Sequence, residues 1–404
     1  MSRVDHDIVI CGGGVAGACA AALLARRFRV ALIEARKPVF ELPEHDIDPR
    51  VVAISPGSHR ILEAAGGWPE DLVERIGEYR HMQVHSERGS IEFHASHHGL
   101  EQLGWIVEIP ALQQTVWHSL ATNGQVNLLS PNSIRRIDQD ETRVRVELDA
   151  GKALRCRLLV AADGARSRLR EQAGMAVDTW HYNQKALVTH IVTERPNRGL
   201  AWQRFTEHGP LALLPLADGR SSIVWSQPAE RADRLLAMDQ DGFLDKLNEC
   251  QDSPFGLATA CSTRHALPLV RRKARNLVQG RLVLLGDAAR TVHPLAGQGL
   301  NLGLADAAAL AEVLEGRNAE EEFSPALQRY QRWRLSASTL TGGGIHAINE
   351  LAFAPGSLGR MLLGVGFGAA SRLWPVRERL VRSACGLDGD SPVLARQASE
   401  QQQQ

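Results

Sequence analysis

An α/β fold is expected from three features of the sequence. A strand, a glycine-rich turn, a helix and a second strand ending in an acid open the chain. Two later apolar strands also run into a glycine and an aspartate, and the stretches between these units alternate polar and apolar residues. Together they predict a Rossmann-like dinucleotide-binding domain, an inserted antiparallel sheet and a C-terminal helical region. A length of 404 residues allows a large core and two or three units. The expected boundaries are 1–75, 106–180 and 266–340 for the dinucleotide domain and 76–105 and 181–265 for the sheet. The helical region with a disordered Gln-rich tail takes 341–404.

The first unit, "HDIVICGGGVAGACAAALLARRFRVALIEA", spells G-x-G-x-x-G with Gly12, Gly14 and Gly17. Ile8 to Cys11 form the strand, and Val15 and Ala16 lead into an alanine-rich helix. Gly12 permits the tight turn, Gly14 lets a pyrophosphate approach the backbone, and Gly17 lets the helix pack close to the strand. The helix N-terminus offers free N–H groups to phosphate. Val30 to Ile33 form the second strand, and Glu34 ends it 20 residues after Gly14. An acid there suits the unphosphorylated ribose of FAD or NAD. The looser matches Gly342-x-Gly344-x-x-Ala347 and Gly364-x-Gly366-x-x-Ala369 lack flanking strands and read as helix packing.

Composition excludes several classes. Lys+Arg and Asp+Glu are 46 each, which gives no charge excess for nucleic acid. The six cysteines are scattered without a C-x-x-C pair, which argues against a zinc site and fits a reducing cytosol. Residues 8 to 25 are apolar, yet Asp5 and Asp7 precede them and glycines interrupt them, so they read as strand and helix rather than a signal peptide. No stretch of 18 uncharged apolar residues offers a spanning helix. His81 and His85 would share a strand face while His94, His97 and His98 sit in a polar loop; with no supporting cysteine or carboxylate geometry, a solvated histidine-rich loop is expected rather than a metal site.

Two echoes of the first unit decide the cofactor. "LRCRLLVAADGARSRLR" ends a strand at Asp163-Gly164, with Ser167 and Arg170 in the following turn. "LLGDAARTVHPLAGQGLNLG" ends another at Gly286-Asp287 and begins a helix carrying Leu300, Leu304, Ala308, Ala311 and Leu314 on one stripe, with Gly316 as its cap. A plain NAD site does not need two further strand-end acids, whereas a long extended dinucleotide such as FAD does.

These three signatures, with "DPRVVAIS", "AWQRFTEHGPLALLPLADGRSSIVWS" and "RSACGLDGDSPVLA", resemble the single-component flavoprotein aromatic hydroxylases, and among them the ubiquinone-biosynthesis hydroxylases. The resemblance covers nearly the whole chain. It implies bound FAD, NAD(P)H as a transient reductant, and O2 and a polyprenylated phenol as substrates. It also implies that Asp287 holds ribityl hydroxyls and that the bend from Pro294 to Gly299 follows the isoalloxazine ring. The amides of Leu300 and Asn301 would face the ring's pyrimidine oxygen. Arg50 and Gln113 match FAD-contacting positions, and a nicotinamide would visit near Asp163 and Arg166. Two positions depart from the pattern: Arg290 stands where histidine is common, and Ile109-Pro110 replaces Asn-Arg.

No catalytic side chain is identified, because the cofactor carries the chemistry. The rival readings are a flavin reductase of the same fold that does not activate oxygen and a non-catalytic assembly component. A bilayer-resident substrate implies a cytoplasmic protein peripheral to the inner membrane. Residues 351–382, apolar and then basic, are the expected contact with membrane or with other proteins of the pathway. The alternative for this segment is a cap on the protein's own core or a contact between copies of the chain.

Overall fold

Ile8–Cys11, Leu158–Ala161 and Leu282–Leu284 are uninterrupted apolar runs, as strands covered on both faces require. In the computed structural model, which describes residues 4–86, 89–122, 124, 126–292, 298–317, 322–337 and 374–396, they lie side by side. Their sheet runs in the order Val278–Gln279, Leu282–Leu284, Leu158–Ala161, Ile8–Cys11, Val30–Ile33, Val126–Leu129. Every pair is parallel except the one at the Val278 edge. Cys11 pairs with Ala161, and Ala161 with Leu284. The three motif turns that follow these strands therefore emerge together at one edge of the sheet, where open α/β sheets bind ligands.

A second sheet contains nine strands among the described residues, built around the long strand Val177–Thr193. It is antiparallel with one exception, a correction to the sequence reading: Leu200–Thr206 runs parallel to His81–Ser86. The reason is connectivity. The two strands are joined by a long crossover rather than a turn, and only a crossover can deliver a parallel neighbour. One face packs Trp202, Leu213 and Trp225 on helices Ala229–Ala237 and Gln240–Cys250. The other face looks toward the first sheet.

His81 and His85 share a strand as expected, whereas His94 ends the next strand and His98 is withdrawn from solvent rather than sitting in a solvated loop. His81 and His94 are opposed across a hairpin with ring centroids 4.5 Å apart. His98 is buried, with Nδ1 2.6 Å from Glu378 Oε2 of the helix Trp374–Ala384. An acid partner far along the chain makes that burial tolerable.

Helix Gln298–Leu314 buries Leu304, Ala308 and Leu314 as its spacing predicts, and Gly316 beyond it takes the left-handed conformation, φ +75°. Its Asp306 is fully buried between two arginines. Arg290 donates from Nη1 to Oδ2 at 2.8 Å and from Nη2 to Oδ1 at 3.0 Å, and Arg334 Nε donates to Oδ1 at 2.6 Å. The Gly286 N–H also donates to Oδ2, at 3.1 Å. Burial disfavours the charged carboxylate, but the two guanidinium groups outweigh it and hold the Asp306 pKa below its ordinary 3.8. The histidine-to-arginine departure at 290 thus supplies one of the two cations of a buried ion cluster. Asp306→Asn should cost about 3–5 kcal/mol in urea unfolding, because it leaves two buried cations without a counter-charge. A loss below 1 kcal/mol would remove the cluster from any structural role.

Candidate active site

The three motif turns line a cleft of about 920 Å³ at the strand ends. Gly12 has φ +111°, and a Cβ there would overlap the Ala162 carbonyl. A Cβ on Gly17 would overlap the Gly12 carbonyl, so helix Val15–Leu24 touches its own turn. Gly14 differs: no atom lies within 4 Å of a Cβ built on it, and the residue lines the cleft with Val15, Ala16 and Gly17. It is also the helix N-cap and supplies no side-chain hydrogen bond. First-turn N–H groups are therefore left for a ligand.

The acids and amides predicted around this turn take distinct places. Glu34 Oε2 accepts from the Gly13 N–H at 2.7 Å, and Oε1 accepts from the Arg36 N–H at 3.2 Å. Gln113 is not part of the cleft wall; its Nε2 donates to the Gly13 carbonyl at 2.9 Å, beside Trp117 Nε1 at 2.7 Å. Both residues brace the glycine turn from outside. Arg50 lines the cleft and is held by Asp48, with Nε and Nη2 donating at 2.9 and 2.8 Å.

Asp163 accepts from the Leu169 N–H at 3.2 Å through Oδ2, while its buried Oδ1 has no partner among the described residues. Arg170, in the same motif, donates to the Ala288 carbonyl at 2.8 Å and so ties the second motif to the third. Asp287 opens onto the cleft at its tip but is crowded behind by protein. That crowding raises its pKa above 3.8, and Arg290 pulls the other way. Gly299 and Leu300 complete this end of the cleft. Asn301 accepts from the Ser55 N–H at 3.0 Å and donates to the Ala53 carbonyl at 2.8 Å, fastening the helix start to the strand Val51–Ile54. Pro294 lies outside the described residues.

One structural residue was not singled out by the sequence reading. A Cβ on Gly303 would stand 3.1 Å from Ala16 Cβ and 3.3 Å from Gly286 Cα, so the two helices and the third motif meet at a glycine. Its only local signal is a small residue one turn after Gly299.

Beyond the cleft lies a chamber of about 290 Å³ with a mostly apolar lining, including Met82, Phe93, Ala212 and Val381. It shares Ala53, Leu214 and Val224 with the cleft. Leu213 is core, and the alternation of the strand sends Leu214 to the chamber. Leu380, Val381, Ala384 and Cys385 form one wall. Of the segment expected to dock, 351–373 lie outside the described residues. Among the described residues no helix is long and apolar enough to cross a membrane.

A glycine cradle open to the cleft, a free helix N-terminus, an unpaired buried carboxylate oxygen and a further strand-end acid fit an extended dinucleotide. Residues 5–340 match the family described as FAD binding domain. The chain belongs to this family. Within this FAD-binding family, the 3-demethoxyubiquinol 3-hydroxylase of Escherichia coli (strain K12) is 34% identical over 396 residues, 96% of this chain and 100% of that protein. The ubiquinone hydroxylase UbiL of Rhodospirillum rubrum is 33% identical over 406 residues, 96% of this chain and 92% of that one. The fold matches the crystal structure of p-nitrophenol 4-monooxygenase PnpA from Pseudomonas putida DLL-E4 with a TM-score of 0.76, at 19% identity, over 96% of this chain and 100% of that one. The resemblance read from the motifs is borne out, and the cofactor is FAD.

Gly14→Val should fold normally yet purify with little FAD, because the side chain would enter open cleft rather than protein; circular dichroism and flavin absorbance separate the two effects. Asp287→Ala should weaken FAD retention by about 1.5–3 kcal/mol, the value of a hydrogen bond to a charged acceptor, measured by equilibrium dialysis. Unchanged occupancy in that variant would remove Asp287 from cofactor binding.

Proposed function

We propose that this protein hydroxylates the ring of a polyprenylated phenol in ubiquinone biosynthesis, using FAD, NAD(P)H and O2. The observation that carries the reading is the mostly apolar chamber that shares a wall with the FAD cleft. The names of the two relatives support the same substrate class.

Bound FAD supplies hydride acceptance from NAD(P)H and the activation of O2. Gly12, Gly14 and Gly17, with Val15 and Ala16, would hold its pyrophosphate, Glu34 the adenosine ribose, and Asp163 and Asp287 the extended part toward the flavin. The first amides of helix Gln298–Leu314 would meet the anionic edge of reduced flavin, a setting in which a helix N-terminus contributes about 1–2 kcal/mol. Arg50 stands at the cleft rim, where its pairing with Asp48 fixes the guanidinium. The chamber's own work is to exclude water and hold an electron-rich ring against the shared wall at Leu214 and Val224. The phenol's ring oxygen provides its own activation, so the reaction needs no protein nucleophile.

Turnover under ¹⁸O₂ with a short-chain prenylphenol tests this directly. Mass spectrometry should show one labelled oxygen in the product for each NAD(P)H consumed. Oxidation of NAD(P)H without label in the ring would identify a reductase instead.

A further inference from the structure

Two polar side chains stand out in the apolar chamber. Gln203 is 8% exposed and Ser226 2%. Both line the chamber, and neither side chain has a hydrogen-bond partner among the described residues. Asn301 is engaged with Ser55 and Ala53, and the Ser55 hydroxyl with Ser58, while Tyr79 and Gln298 also line the chamber.

The strand pattern explains why Gln203 faces this space. Along Leu200–Thr206, Trp202 enters the core beneath the sheet and Arg204 pairs with Asp252 at 2.7 Å. Ala201 and Gln203 take the opposite face. Register places Gln203 beside Ala212, and Ala212 beside Val224. The short alanine leaves the amide uncovered by its own sheet, and Val224 belongs to the wall shared with the FAD cleft. Ser226 lies two residues further along the Val224 strand, on the same face.

A polar amide that opens into an apolar chamber with no partner from its own sheet is free to pair with a ligand, whereas leucine or methionine would line the same space without offering a polar group. We infer that Gln203 binds an oxygen substituent on the aromatic ring of the substrate and makes the chamber select oxygenated rings over bare hydrocarbon. The inference rests on the phenol-hydroxylase reading above. The amide can accept from a ring hydroxyl or donate to an ether or carbonyl oxygen, and Ser226 offers a second group to a neighbouring ring position. A site built to pair such an oxygen rejects an analogue that lacks it, because its own polar group is then left unpaired.

Two probes separate this role from simple packing. The FAD-loaded protein is titrated with 2-geranylphenol and with geranylbenzene, and binding is followed by the perturbation of flavin absorbance. The natural chain should prefer the phenol by roughly tenfold. Gln203→Leu should lose about that factor for the phenol and bind geranylbenzene as well or better. Gln203→Met, closer in shape, should repeat the result if the leucine variant fails to retain FAD. Equal losses for both probes, or a preference that survives in a variant with full FAD content, overturn the inference. So does a natural chain that binds both probes equally. If the natural chain binds neither probe, the phenol reading fails and Gln203 falls with it. If it hydroxylates the phenol while the variant keeps its preference, only the role of Gln203 is lost.

Discussion

Asp306 stays ionised at full burial because Arg290 and Arg334 grip it from two sides, an arrangement less favourable for bare stability than hydrocarbon packing of the same volume. What it provides is position. Its carboxylate also takes the Gly286 N–H, so the turn that presents Asp287 is pinned to helix Gln298–Leu314. Ala16 and Gly303 meet where that turn passes, which locks the first helix against the same point. The helix start reaches strand Val51–Ile54 through Asn301. One buried ion cluster thus ties together the third motif turn and the helix that follows it.

The motif turns are braced by the same logic at smaller scale. The Gly13 peptide is held at both ends, its N–H by Glu34 and its carbonyl by Gln113 and Trp117. Arg170 joins the second motif to the third through Ala288. A glycine loop is conformationally free in an unfolded chain, and these contacts give it one shape before a ligand arrives. Such preorganisation lowers the ordering cost of binding.

The parts of this site visible in the sequence are those whose physics is local. Glycine spacing, an acid at a strand end and a helix stripe closed by Gly316 depend on neighbours a few residues away. Gln113 was matched to a cofactor-contacting position by its resemblance to the family, and the bond that coordinates add is to the backbone of the glycine turn. Arg290 was visible only as a departure from a pattern; its partners are 16 residues away at Asp306 and, through Asp306, 28 further on at Arg334. Gln203 was hidden for a different reason. A glutamine in an alternating strand is ordinary until register sets it beside Ala212 and above a cavity. The parallel entry of His81–Ser86 was equally invisible, since strand direction at a sheet edge is decided by the crossover and not by the strand's composition.

The chamber wall formed by Leu380, Val381, Ala384 and Cys385 is fastened to far earlier parts of the chain, through Glu378 to His98 and through the Cys385 carbonyl to the Gly57 N–H at 2.8 Å. The cleft draws on residues up to Gly303, whereas the chamber needs residues some 80 positions later. Synthesis of the chain therefore completes the two halves of the site in order. The side that holds the cofactor can assemble while the side that confines the organic substrate still lacks a wall. The confinement of the organic substrate therefore depends on a helix, Trp374–Ala384, that the cofactor cleft itself does not use.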